Sequence, residues 1–204
     1  MSETQTLQAQ QLTRQFKDTV VPHPGVYDID PKHSSVEFVA RHLMITKVRG
    51  RLNDVSGSIQ IAEVPEESSV EVTIGAASVH TGEEQRDSHL RSGDFFDVET
   101  HPTWTFKSTS VEHAGDNAWK VTGDLTIRGT TRQVVLDTEF DGANQTPWGS
   151  NAIGFSAATE IDREDFGLTY NMVLETGGVM MGKKVRIELN VEAVSHQAED
   201  AQAS

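Results

Sequence analysis

From Val36 to Glu192 the chain repeatedly alternates apolar and polar positions with a period of two. Val36, Phe38 and Ala40 alternate with Glu37 and Arg41, and Val70, Val72 and Ile74 with Glu71 and Thr73. Trp104 and Phe106 alternate with Thr105 and Lys107, and Leu125 and Ile127 with Asp124, Thr126 and Arg128. Val134, Leu136 and Phe140 share a face opposite Asp137 and Glu139; Ile153, Phe155, Ala157 and Ile161 share another. Val185, Ile187, Leu189 and Val191 oppose Arg186, Glu188, Asn190 and Glu192. Successive side chains of a strand point to opposite faces, so this pattern predicts half-buried antiparallel strands, apolar on one side and wet on the other. Turn chemistry at Gly115-Asp116-Asn117, Arg128-Gly129-Thr130 and Asp141-Gly142-Ala143-Asn144 separates the runs.

About eight such strands must bury their apolar face, as a sandwich or as a closed barrel. Several runs of about eight to ten residues are long for strands of a small sandwich. A barrel of about eight strands is just wide enough to be filled by its own side chains or to hold one small ligand. The expected fold is therefore all-β: an eight-stranded antiparallel barrel. One segment breaks the pattern, Gly82 to Ser92, where Glu83, Glu84 and Gln85 suit the N-terminus of a short helix. Charge, histidine and aromatics concentrate around it, from Thr81 to Asp97, as in a catalytic insertion or a charged lid.

Both ends differ from this middle. Residues 1–24 are Gln-rich and carry Pro22 and Pro24, and residues 195–204 are Ala, Gln and acid. Both read as weakly ordered tails around one domain over residues 25–194. Leu12, Phe16 and Val20, at spacing four, also admit a short helix packed on that domain.

Composition narrows the function. The chain's 204 residues suit a single domain. With 31 acidic against 17 basic residues the net charge is −14, which argues against nucleic-acid binding. The densest basic cluster, Lys47-Val48-Arg49-Gly50-Arg51, reads as a solvated loop. Absence of cysteine removes disulfides, thiolate nucleophiles and cysteine zinc sites. No apolar run approaches the roughly 18 residues of a transmembrane helix. Met1 to Asp18 has no apolar core of a secretion signal, so the expectation is a cytoplasmic protein.

Candidate chemistry is sparse. Gly177-Gly178-Val179-Met180-Met181-Gly182-Lys183-Lys184 nearly spells a phosphate-binding loop. Its last position is Lys where Ser or Thr would hold magnesium, and a strand pattern follows instead of a helix. Asp87, Ser88 and His89 contain the residue types of a catalytic triad, but consecutive helical side chains diverge and cannot form the relay. Glu160, Asp162, Glu164 and Asp165 with Arg163 among them read as a solvated strand end. His80, His89 and His101 lie near Glu83, Glu84 and Asp87 and form the main alternative, a metal-dependent enzyme. No His-x-His or His-x-x-x-His spacing preorganises a ligand pair, so neither a metal nor a catalytic residue is expected. What remains is the apolar face itself, as a filled core of an interaction domain or as an apolar cavity.

Several motifs, in order, resemble the YceI-like proteins. They are Tyr27-Asp28-Ile29-Asp30, His33-Ser34-Ser35-Val36-Glu37-Phe38, Val48-Arg49-Gly50-Arg51, Thr81-Gly82, Arg86-Asp87-Ser88-His89-Leu90 and Asp94-Phe95-Phe96-Asp97. His101-Pro102, Gly123 to Gly129 and Arg163-Glu164-Asp165-Phe166-Gly167 continue the series. The resemblance implies a lipocalin-like barrel with its helix at the rim, binding an isoprenoid quinone or polyprenyl chain as carrier, storage or sequestration protein, without a cofactor. It implies no enzyme activity, no nucleic-acid partner, and leaves room for a homodimer. Expected ligand contacts are Val36, Phe38, Ala40, Trp104, Phe106, Leu125, Ile127, Leu136, Phe140, Phe155 and Leu189. Arg86, Asp87, His89 and Arg91 would pin the helix to the rim or meet a polar head group. Many relatives are exported, and the missing signal here points to an intracellular role. Trp104, where a smaller aliphatic residue is usual, is expected to shorten the pocket.

Overall fold

The computed structural model describes residues 12–173 and 179–195. Thirteen strands appear among them: β1 Thr13–Phe16, β2 Thr19–Pro22, β3 Gly25–Ile29, β4 Ser35–His42, β5 Thr46–Leu52, β6 Val55–Ile61, β7 Ser69–Gly75, β8 Val79–His80, β9 Thr103–His113, β10 Ala118–Ile127, β11 Thr130–Gln145, β12 Asn151–Asp162 and β13 Met181–Ser195. A single α-helix among the described residues, α1 Glu84–Arg91, follows β8.

The strands β12-β11-β10-β9-β7-β6-β3-β13 are hydrogen-bonded in that order, and β12 pairs again with β13, which closes an eight-stranded antiparallel barrel. The last residues of β13 pair with β3 (Ala193↔Ile29) and its earlier ones with β4 (Leu189↔Val36). β3 and β4 are thus successive segments of one stave, and β5, paired with β4, runs on into β6, paired with β3. The bend between β5 and β6 is held by Ser78, whose Oγ accepts from the backbone N–H of Asn53 (3.0 Å) and Asp54 (3.1 Å).

The alternation sets which side chains point inward. Val36, Leu52, Ile74, Trp104, Phe106, Leu125, Ile127 and Ile187 are buried in one cluster, while their sequence neighbours face out. A second cluster of Tyr27, Ile61, Phe140, Ile153 and Ala193 sits toward the end where β3 begins. Arg128 (φ +48°) and Gly129 (φ +70°) make the two-residue turn between β10 and β11, a conformation that two positive φ values give to a tight hairpin. The segment Asp141–Asn144 is not the turn its composition suggests. It lies inside β11, and the register shifts between Phe140 and Gly142 (φ +135°), so the glycine marks a bulge.

Residues 13–22 are not a tail either: β1 and β2 form an antiparallel hairpin, with Thr13↔Pro22 and Phe16↔Thr19 paired. The helical spacing of Leu12, Phe16 and Val20 misleads, because the β-branched run Thr19-Val20-Val21 favours strand. Residues 1–11, 196–204 and 174–178, including Gly177 and Gly178 of the glycine-rich loop, lie outside the described residues. The expected strand after that loop is present as β13.

Candidate functional site: an apolar cavity inside the barrel

The barrel is not filled. An internal cavity of about 170 Å³ is walled almost entirely by apolar side chains from every stave. Val36, Trp104, Phe106, Leu125, Leu136, Phe140, Phe155 and Leu189 of the expected contacts line it, together with Val70, Val72, Val111, Trp119, Val121, Val134 and Val191. Period two explains the selection: β11 alone contributes Val134, Leu136, Thr138 and Phe140. Hydroxyls are few in this wall, and two of them are tied internally. Ser68 Oγ accepts from Ala62 N–H (3.0 Å), and Thr138 Oγ1 donates to the Leu136 carbonyl (3.3 Å). Glycine shapes the wall at one point. The Phe106 ring lies against Gly123, where a Cβ would stand 2.5 Å from it, and the β9–β10 register shifts at the same place.

One end of the cavity, the mouth, meets the N-terminal hairpin. β2 lays Val21 and Pro22 against it, and Val21 is 2% exposed. The short turn Pro65–Glu67 adds Pro65 to the same rim. Arg14 fastens the hairpin by donating through Nη2 to the carbonyls of Ala62 (3.1 Å) and Glu63 (2.6 Å), and Lys17 pairs with Glu66 (2.7 Å). Tyr27 Oη donates to the His23 carbonyl (3.0 Å) at its base. The sequence reading missed this hairpin; Thr19-Val20-Val21 was the signal that could have found it.

The other end is a built floor. Phe96 meets Trp104 edge to face at 4.9 Å, and Phe95 packs with Tyr170 and His89. Beyond Trp104 lies a second apolar void of about 60 Å³, lined by Phe38, Ala40, Phe95, Phe96, Ile127, Leu168, Met181 and Val185 among others. Phe38, Ala40 and Ile127 of the expected contacts therefore face this lower void and not the larger cavity. Arg163, which also lines this void and is 2% exposed, donates to the carbonyls of Gly182 (3.1 Å), Tyr170 (3.0 Å) and Leu168, tying the loop after β12 to the start of β13.

Helix α1 closes this end. Glu83 caps it, its carboxylate accepting from Gln85 N–H (3.0 Å) and Arg86 N–H (2.6 Å). Asp87 is 1% exposed and accepts from the backbone N–H (2.8 Å) and hydroxyl (2.5 Å) of Thr81. Burial alone would raise its carboxyl, but these two bonds outweigh it, and with His80 and Arg91 nearby they hold it below the usual carboxylate range. Arg86 reaches Thr81 through Oγ1 (2.7 Å) and the carbonyl (3.1 Å), and Arg91 the carbonyls of Ala77 (2.9 Å) and Val79 (3.0 Å). His89 Nε2 lies 2.9 Å from Asp94. All four rim residues are thus engaged with the helix's own surroundings, and none lines either cavity.

The histidines do not converge. His80 lies 3.3 Å from Asp87, His89 pairs with Asp94, and His101 sits against Gly129. Among the described residues, the one set of three ligand-type side chains within 4.8 Å is Asp30, His33 and Glu192, outside both cavities. There His33 hydrogen-bonds Asp30 (2.8 Å), which raises the imidazole and lowers the carboxyl.

A closed antiparallel barrel with one capping helix and an apolar interior is the setting for the comparison with known proteins. The YceI-like domain matches residues 27–193. The chain belongs to the YceI-like family. A UPF0312 protein of Staphylococcus aureus (strain MSSA476) is 38% identical over 169 residues, covering 81% of this chain and 95% of that protein. The Campylobacter jejuni YCEI protein is 33% identical with a TM-score of 0.66, covering 77% of this chain and 90% of its own. Burkholderia cenocepacia BcnA superimposes with a TM-score of 0.69 at 24% identity, over 80% of this chain and 98% of that one. A polyisoprenoid binding domain from Saccharophagus degradans does so at 0.61 and 16% identity, over 85% and 99%. These last two likenesses bear on the fold alone. The β1–β2 hairpin precedes the residues matched by the YceI-like domain.

Proposed function

We propose that this protein binds one apolar isoprenoid-type lipid, a quinone tail or polyprenyl chain, inside the barrel, and that it acts as a carrier or store and not as an enzyme. The observation that carries the reading is the cavity itself. A void this size in a protein interior is costly unless it is occupied, since interiors pack at crystal-like density. Its wall offers apolar area from all sides and little to hold a polar molecule. Trp119 and Leu125, both lining β10, are separated by six residues, which at the usual rise and barrel tilt gives a depth of about 15 Å. The proportions fit a slender chain lying along the axis. The polar end would lie at the mouth, beside Ser68, Ser69 and Thr138, with the tail toward Trp104. Each methylene removed from water contributes about 0.8 kcal/mol, so affinity rests on the tail.

Displacement of N-phenylnaphthylamine from the purified protein by farnesol, and by a straight-chain alcohol of equal carbon number, tests this. The dye should bind the wild type and be displaced by both alcohols, more tightly by farnesol. Leu136→Asp, which places a charge in the wall, should abolish dye binding while the protein stays folded. A folded wild type that excludes the dye and both alcohols would overturn the reading, and equal affinity for the two alcohols would remove the isoprenoid preference.

A further inference from the structure

The larger cavity ends at one side chain. Trp104 lies near the start of β9, opposite Ile74 of β7, is 5% exposed, and stands edge to face with Phe96. It lines both the 170 Å³ cavity above and the 60 Å³ void below, and so does Ile187 of β13. In the closed ring β9 and β13 are four strands apart, so these two residues come from opposite sides and together divide the barrel. Resting on the lipid reading above, we propose that Trp104 sets the length of chain the barrel accepts, the tail's methyl end stopping against the indole.

Two features separate this role from ordinary core packing. Space remains beneath the indole: the lower void is walled by Phe38, Ala40, Leu168, Met181 and Val185 together with Arg163, and shares Trp104 and Ile187 with the cavity above. A core that needed only filling would not stack a large ring above an empty pocket. The indole Nε1–H is also buried without a hydrogen-bond partner among the described residues. A buried unpaired donor is destabilising, and an apolar side chain would not carry that cost. Packing against Phe96 favours a large ring at this position, but an apolar ring would serve it without the unpaired donor, and a rigid stop in the tunnel accounts for the bulk. Exchanging it for a smaller apolar residue joins the two voids into one longer cavity.

The test is a length series. Geraniol, farnesol, geranylgeraniol and longer polyprenols are titrated against N-phenylnaphthylamine bound to the wild type, to Trp104→Leu and to Trp104→Leu combined with Ala40→Leu. Wild-type affinity should climb with each prenyl unit to a limit and then stop climbing. In Trp104→Leu the limit should move to a longer alcohol, with the first alcohol past the wild-type limit bound about tenfold more tightly, as burial of added methylenes requires. Refilling the lower void with Ala40→Leu should move the limit back. Should Trp104→Leu fail to fold by circular dichroism, Trp104→Phe makes the same comparison with a smaller shift. An unchanged limit in a folded variant that binds the shorter alcohols overturns the role of Trp104 and leaves the lipid reading standing. If no alcohol binds the wild type, the lipid reading fails and this inference falls with it.

Discussion

The two ends of the barrel are built from the same alternating strands and differ in what closes them. At the floor, Phe96 meets Trp104 edge to face, Phe95 packs with Tyr170, and Asp87 and Arg163 are buried with hydrogen bonds to backbone groups of neighbouring segments. At the mouth, a two-stranded hairpin lies across an apolar opening and is fastened by Arg14 and by the solvent-facing Lys17–Glu66 pair. Buried polar contacts thus tie one end into the rest of the fold, while the other is covered by a separate hairpin whose removal leaves the eight staves in place. The charged block of residues 81–97, the most conspicuous segment of the sequence, thus belongs to the fixed end. The uncharged wall between the ends is where binding is proposed.

Substitutions should separate the two ends, the floor giving the largest effects. Arg163→Ala would leave the carbonyls of Leu168, Tyr170 and Gly182 without their donor, and should cost about 3 kcal/mol or more in urea unfolding. Asp87→Ala should cost about 2–3 kcal/mol by removing the acceptor for both Thr81 donors. Asp87 also gives the fold a defined pH dependence. Its folded carboxyl lies below the ordinary value, so its contribution is complete above the usual carboxylate range and declines as acid carries pH down through the lowered value. Acid titration of stability should be shallower in Asp87→Ala than in the wild type.

Changes at the mouth should act on exchange more than on stability. Deleting residues 1–22 removes the burial of Val21, and should speed dissociation of N-phenylnaphthylamine about tenfold in stopped flow. The melting curve should move far less than it does for Arg163→Ala. The smallest effect is expected for Lys17→Ala, an exposed pair worth at most about 1 kcal/mol, detectable as a slight rise in exchange rate. A hairpin deletion that lowered the melting curve as far as Arg163→Ala does, with dissociation from the still-folded protein unchanged, would erase the distinction between the ends.

Much of this arrangement was legible in the sequence. Alternation assigned Trp104, Phe106, Leu125, Val134, Leu136, Phe140, Phe155 and Leu189 to the inward face, because a pleated strand allows only two faces, but it missed Trp119 and Val121, and Val111, whose parity changes at the β9–β10 register shift. The Arg128-Gly129 turn followed from turn chemistry, and the helix from its acidic start. Closure was less direct, since it rests on the pairing of β12 with β13 and on β13 spanning both β3 and β4. Gly142 was misread because a glycine between apolar runs serves a bulge as well as a turn. Among the proposed contacts, alternation told which side Phe38, Ala40 and Ile127 face but not how far down the barrel they sit. It also could not distinguish a packed interior from a hollow one: side chains of the same parity line the cavity and fill the floor. That difference depends on where individual rings lie, as for Phe106, whose position against Gly123 needs the missing side chain there.

Everything proposed for the barrel rests on one apolar chain in the larger cavity. The most direct test is a native mass spectrum of the freshly purified, untagged protein, run beside mass spectrometry of its organic-solvent extract. An added mass at close to one per chain, matching a polyprenyl or isoprenoid-quinone species in the extract, is the expected result. A protein that stays at its bare mass, gives an extract without such a species, and takes up no polyprenol when incubated with it would contradict the account.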